Sequence, residues 1–152
     1  MQNPDWFGNS YPDFHTMLGL AEENRIGVGF ADVPFGLYYP NIMGVRVIVI
    51  PNGVSPLMRI WALAHELGHA FQHSGAKGSL SYRKEEVQAS RWAAQALIPI
   101  QRICMYQNAS IDAFIGALSA HYEDIPFEDC PARDLAASIA KYRLSALAQE
   151  VA

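Results

Sequence analysis

Basic residues are scarce in this chain. Lysine and arginine number 11 against 15 aspartates and glutamates, for a formal net charge of -4. A nucleic-acid binder needs a basic stripe to meet the phosphate backbone, so direct nucleic-acid binding is not expected. Cysteine is scarcer still. Cys104 and Cys130 stand far apart and form no metal-type pair, so they read as free thiols of a reducing cytoplasm. Long apolar runs are missing too. No stretch approaches the roughly 18 uninterrupted apolar residues of a membrane span. The segment from Met1 to Gly8 has neither a basic region nor a following apolar run, so no leader is expected and the chain reads as cytoplasmic. Charged residues are only 17% of the chain and hydrophobic ones 51%, which excludes disorder and predicts a packed core. With 152 residues, that core belongs to a single domain over residues 1–152.

The most informative stretch runs from Ser55 to His73 and contains His65-Glu66-Leu67-Gly68-His69. Two histidines four apart on a helix lie on one face, one turn above each other. Their imidazoles can therefore close on a single ion, as a tetrahedral zinc site requires. Glu66 is then placed to take a proton from the attacking water. The helical setting is legible: Ser55 is a good N-cap, Pro56 suits the first helical position and Gly75 suits the far end. Leu57, Ile60, Trp61, Ala64, Leu67, Gly68 and Phe71 recur at helical spacing and predict a core face. A five-residue pattern with three fixed positions also arises by chance on ordinary surface helices, so its neighbours matter.

Upstream, Ser10 is expected to cap a first helix, with Asp13 near its positive end and Gly27 closing it. Phe14, Met17, Leu18 and Ala21 form its buried stripe. Between Val28 and Pro51 the period changes to strand and turn: Val28 to Val33, Leu37 to Tyr39 and Val45 to Ile50. About three strands, antiparallel in part, are predicted beside the metal helix. The last of them should be covered on both faces. Downstream, Ser74 to Ser81 reads as a polar loop, and a second strong helix runs from Tyr82 to Ile98, ended by Pro99. A third helix begins at Ser110, and a last one runs from Pro131 to about Gln149 with Leu135, Ile139, Tyr142, Leu144 and Leu147. The fold class is α+β, rich in helix with a small sheet.

A zinc enzyme of this kind keeps three protein ligands. The candidates after His69 are His73, Glu85, Glu86 and His121. His73 continues the four-residue spacing but lies about 12 Å along a straight helix from His65, whereas zinc–nitrogen bonds are about 2.1 Å. It is read instead as a helix-end residue. Glu86 is better placed than Glu85, near the start of a helix that can return beside the first. Glu86, Ala89, Ser90 and Ala93 share a face, and small residues there allow close approach. Two acids there also suit a helix N-terminus without any ligand role.

Trp61-Ala-Leu-Ala-His-Glu-Leu-Gly-His-Ala70, followed by Glu86-Val-Gln-Ala-Ser-Arg-Trp-Ala-Ala-Gln-Ala-Leu-Ile-Pro99, resembles the ImmA/IrrE family of small metallopeptidases. That family carries an A-H-E-L-G-H-A helix and then E-x-x-A-N-x-F-A with an L-L-M-P-like end. The resemblance covers roughly residues 11 to 100, with the helices of about 101–152 only loosely similar. It implies a minimal zincin-like metallopeptidase domain in which His65, His69 and Glu86 are zinc ligands and Glu66 is the general base. The chain departs from the pattern at Ser90, where Asn or Asp is usual, and at Trp92 in place of Phe. An oxyanion donor is also needed; Tyr82, His121 and Tyr122 are chemically suitable, and spacing selects none. The resemblance implies a protein substrate such as a DNA-binding repressor, in phage, mobile-element or stress responses. A competing reading is a metal-binding module that sequesters a repressor or antitoxin without cutting it, against which the intact Glu66 argues. A zinc hydrolase of non-peptide amides or esters would use the same water activation.

Overall fold

The computed structural model describes residues 1–72, 82–99 and 110–150. Among them are five helices and one three-stranded sheet. Helix α1 (Phe14–Glu23) is followed by β1 (Ile26–Ala31), β2 (Leu37–Ile42), β3 (Val45–Pro51) and α2 (Pro56–Gln72). Then come α3 (Tyr82–Leu97), α4 (Ile111–His121) and α5 (Pro131–Glu150). The expected α+β class and small mixed sheet are what forms. His73, the 74–81 loop and Cys104 lie outside the described residues, while Cys130 is a free thiol.

The ends of α1 differ from expectation. Asp13 is the cap, its Oδ1 accepting from the Thr16 amide at 2.7 Å, while the Ser10 hydroxyl donates to the Trp6 carbonyl at 3.4 Å. Pro12 explains the shift. The residue before a proline is disfavoured in helical conformation, so Tyr11 cannot open a helix and the start moves past Pro12. Asn24, not Gly27, closes the helix. Its amide bonds the Ala21 and Leu20 carbonyls, its side chain donates to the Leu20 carbonyl at 2.8 Å, and Arg25 turns the chain with φ 56°. The chain thus enters β1 at Ile26, which is buried.

The strand order is β1-β3-β2, with β1 parallel and β2 antiparallel to β3. Central β3 buries Ile48 and Ile50 completely, while Val47 and Val49 on the other face are half-buried and Val45 is exposed. The sheet is therefore sealed on one face and only partly covered on the other. Helix α2 packs on β3, β2, α1, α3 and α5. Its start is capped twice: Ser55 Oγ accepts from the Met58 amide at 3.3 Å, and Glu123 Oε1 accepts from the Leu57 amide at 2.9 Å. The second cap arrives from 66 residues downstream and satisfies one of the donors every helix start leaves open.

Helix α3 lies against α2 along a line of small residues. A Cβ added at Gly68 would stand 2.5 Å from the Ala89 carbonyl oxygen and 3.0 Å from its Cα. Only a glycine lets the two backbones meet so closely. Trp92, on the same helix, is sandwiched between Phe7 (ring centroids 5.1 Å) and Phe71 (4.9 Å), and its indole N–H donates to Asn3 Oδ1 at 2.9 Å. The N-terminal residues thus serve as a lid over the indole. Along α5 the buried stripe is Ala136, Ile139, Ala140, Arg143 and Ala146, so the expected leucines flank the core and alanines fill it. Arg143 Nε donates to the Ile98 carbonyl at 2.9 Å and secures the end of α3. Among the described residues, no helix is long and apolar enough to cross a membrane.

Replacing Gly68 by Ala tests the close approach. On an isolated helix the change stabilises by about 1 kcal/mol. Here the added methyl meets backbone, and overpacking of this kind costs about 1–3 kcal/mol. Gly68→Ala is expected to lower the thermal midpoint by several degrees; a rise in midpoint would mean that α2 and α3 are not in backbone contact.

Candidate metal centre

His65 and His69 project from the same face of α2, their ring centroids 4.9 Å apart and their planes nearly perpendicular at 84°. Both rings are shielded, with side-chain exposures of 15% and 14%. Glu86 reaches them from the first half of α3. Its Oε2 lies 2.9 Å from His65 Nε2 and its Oε1 2.8 Å from His69 Nε2. One carboxylate thus bridges two imidazoles, and the Gly68–Ala89 contact sets the helix separation that allows it.

These three side chains are a group that could hold a metal ion, with ligand atoms all within 4.8 Å of one another. The donor chemistry fits: two neutral ring nitrogens and one carboxylate oxygen make the three-ligand set of a catalytic zinc site, which leaves a position open. Burial pushes the His65 pKa below its usual value although the Glu86 charge pulls the other way. The ring is therefore held neutral, as a metal ligand must be. The short contact of His65 to Glu86 is accordingly a hydrogen bond to a carboxylate more than an ion pair.

His65 is also held from behind. Ser90 Oγ lies 3.1 Å from His65 Nδ1, and the Trp61 ring stands 6.1 Å from the imidazole centroid. Trp61 in turn stacks on Tyr142 of α5, centroids 6.2 Å apart.

Glu66 is buried, with 6% exposure, and lies beneath the residue that leads into β2. A Cβ at Gly36 would stand 3.1 Å from both Glu66 Cγ and Oε1 and 3.5 Å from the Ala62 carbonyl oxygen. Backbone thus passes directly over the carboxyl. Desolvation, helped by the Glu86 charge, pushes the Glu66 pKa up to about 8. An acid so placed titrates in the range where a proton shuttle operates.

Of the residues singled out from the sequence, His65, Glu66, His69 and Glu86 come together. Glu85 is not in the metal-capable group. His121 is exposed and stacks on Tyr11, centroids 3.7 Å apart, while the Tyr122 hydroxyl donates to the Leu97 carbonyl at 3.3 Å. Both of those candidate oxyanion donors are engaged in packing. Tyr82 is 77% exposed at the first turn of α3, four residues before Glu86. Sequence reasoning did not find the crowding of Gly36 on Glu66, and no local signal marks it. The role of Gly68 was half-visible, as a small residue on a face opposite other small residues.

A family model described as the IrrE N-terminal-like domain, Peptidase_M78, matches residues 29–122. No curated protein matches, and no solved structure does. The matched span takes in the end of β1, the rest of the sheet, the histidine helix, the returning helix and α4. It starts beyond α1 and runs past Pro99, further along the chain than the resemblance read from the motifs. Since it covers more than half of the sequence, the chain belongs to the IrrE N-terminal-like peptidase family.

Proposed function

We propose that this protein is a zinc-dependent endopeptidase in which His65, His69 and Glu86 hold the ion and Glu66 is the general base. The observation that carries the reading is the meeting of both Nε2 atoms on one carboxylate, with a second, buried carboxyl at the next residue of the same helix. Zinc held by those three side chains would supply Lewis acidity toward the scissile carbonyl and the attacking water, whose pKa it would lower toward about 7, and its charge would favour the ionised form of Glu66. Glu66 takes a proton from that water and returns it to the leaving nitrogen. Burial beneath Gly36 limits competing water and fixes the carboxyl in one place. The same burial makes it a stronger base than a surface glutamate. Burial keeps His65 neutral, Glu86 orients both rings, and Ser90 steadies that of His65.

The proposed substrate is a protein, cut once in an exposed segment of a helix-turn-helix repressor in the cytoplasm. Family resemblance supports that reading. So does the acidic balance of the chain, -4 overall, which suits a basic DNA-binding partner. Selectivity would come from docking a folded partner.

Glu66→Gln is expected to keep zinc while hydrolysis falls about 10²–10⁴-fold, whereas His69→Ala loses both. Zinc content and peptide cleavage measured on the same preparations decide it; full activity in the Gln variant would remove Glu66 from the chemistry.

In metal-free protein Glu66 adds a pH signature. Its pKa rises from 4.5 to about 8 on folding, so across that window the native state holds a proton that the unfolded state has lost. Stability from this group is therefore complete below about pH 4.5 and declines as pH rises toward 8. Urea midpoints measured from pH 5 to 8 should fall more steeply for metal-free wild type than for Glu66→Gln. Parallel curves would place the carboxyl in solvent.

Incubation with a repressor encoded beside this chain should yield a single new terminus by mass spectrometry with wild type and none with Glu66→Gln. Tight binding without a cut by either protein would favour the sequestering module instead.

A further inference from the structure

The sheet has two unlike faces. Directly paired residues of neighbouring strands point to the same side, so Val28, Ile48 and Tyr38 share the face that joins the core with α1 and α2. The same register builds two rows on the opposite face: Gly27, Val47 and Tyr39, then Gly29, Val49 and Leu37. None of these six is in the core cluster of described residues, and none is charged. Arg46 of β3 turns to the other face and donates to the Asn24 carbonyl. The apolar face continues to the β2–β3 turn, where Ile42 and Val45 are 43% and 49% exposed and Met43 is 99% exposed. A sheet face left to water ordinarily turns polar, and parallel pairs such as β1 with β3 are ordinarily covered on both sides. This face is also stepped. A Cβ added at Gly29 would meet nothing within 4 Å, so β1 is a recess, while Leu37 and Tyr39 make β2 a ridge.

We propose that a second copy of this chain covers this face, in a dimer whose two-fold axis runs along β3. Such a contact sets a patch against itself. With the axis along β3, that strand meets its own counterpart, and β2 of each copy lies over β1 of the other. Sheets packed face to face stand about 10 Å apart. Tyr39 and Leu37 of one copy then stand over Gly27 and Gly29 of the other, ridge into recess, while Val47 and Val49 meet themselves. Charge favours the same occupant. Each chain carries a net -4, so two copies approach most readily where neither brings a charge, and a basic partner finds nothing here to pair with. Strands about 4.8 Å apart and six residues long give a face of about 300 Å². That is below the roughly 800 Å² per partner of a standard interface, so the dimer is weak and reversible. Helix α2 packs on the other face of the sheet, and association leaves its histidines uncovered.

Sedimentation velocity of the full chain from about 5 to about 500 µM tests it. Wild type is expected to pass from monomer to mostly dimer across that range. Gly29→Ile fills the recess without meeting its own chain, and Val47→Lys sets two like charges together at the axis. Each should weaken association at least about tenfold, with circular dichroism at the lowest concentration showing that both variants fold. Gly29→Ile separates a fitted contact from general stickiness, because it makes the face more apolar: a merely sticky face would associate more. Raising salt from about 0.05 to about 0.5 M should preserve or strengthen the dimer, since its driving force is apolar and the net charges are screened. Wild type that stays monomeric at about 500 µM would overturn the proposal. So would Gly29→Ile or Val47→Lys associating as wild type does, or a dimer that dissociates as salt rises.

Discussion

The contact between Gly68 and Ala89 governs this molecule. Two helices meet there backbone to backbone, because one residue lacks a side chain and the other has only a methyl. Everything polar in the site follows from that separation. Glu86 reaches both imidazoles and Ser90 reaches the far nitrogen of His65 because α3 lies this near. A helix axis displaced by the width of a methyl group would leave the carboxylate short of at least one ring. The glycine lies between the histidines, within the motif that presents them. The position that brings the third side chain within reach and the positions that would use it therefore travel together along the chain.

A second constraint is the cost of burying polar groups. Glu66 sits under backbone at Gly36, the rings of His65 and His69 are largely covered, and each of these groups either has a partner or holds a proton. Burial lowers the proton affinity of His65 and raises that of Glu66. Both shifts have the same origin, since desolvation disfavours whichever form is charged. The consequences are complementary: a neutral ring with a lone pair to give, and a carboxyl basic enough to take up a proton. The aromatic stack of Phe7, Trp92 and Phe71 helps keep α3 in place, and the indole N–H that Trp brings in place of Phe is satisfied by Asn3.

Much of the fold was legible locally. The strands were recognisable from β-branched and aromatic runs between turn residues, and the start of α2 from Ser55-Pro56. The two ends of α1 differ from expectation for separate reasons. Ser10 and Gly27 are good caps by residue type, but Pro12 forbids a start before it, and the core's need for Ile26 forced the turn earlier, onto Asn24 and Arg25. On α5 Ile139 is buried as expected, but the leucines only flank the core, which the helix otherwise meets through alanines and a buried Arg143. Which side of a helix faces the core depends on the neighbours' shapes, and hydropathy along one segment does not carry that.

The site divides along the same line. Helical geometry depends on hydrogen bonds between residues four apart, so the sequence alone determined that His65 and His69 share a face with Glu66 beside them. The preference for Glu86 over Glu85 also came from the chain, through the small residues in register with it. Only the tertiary structure decided that Glu86 bridges both rings, that Ser90 holds the second nitrogen of His65, that Gly36 closes over Glu66, and that Glu123 caps α2 from 66 residues away. Those contacts join segments whose separation in sequence sets no distance between them. The distance is set by which small residues meet and how closely their backbones can pack.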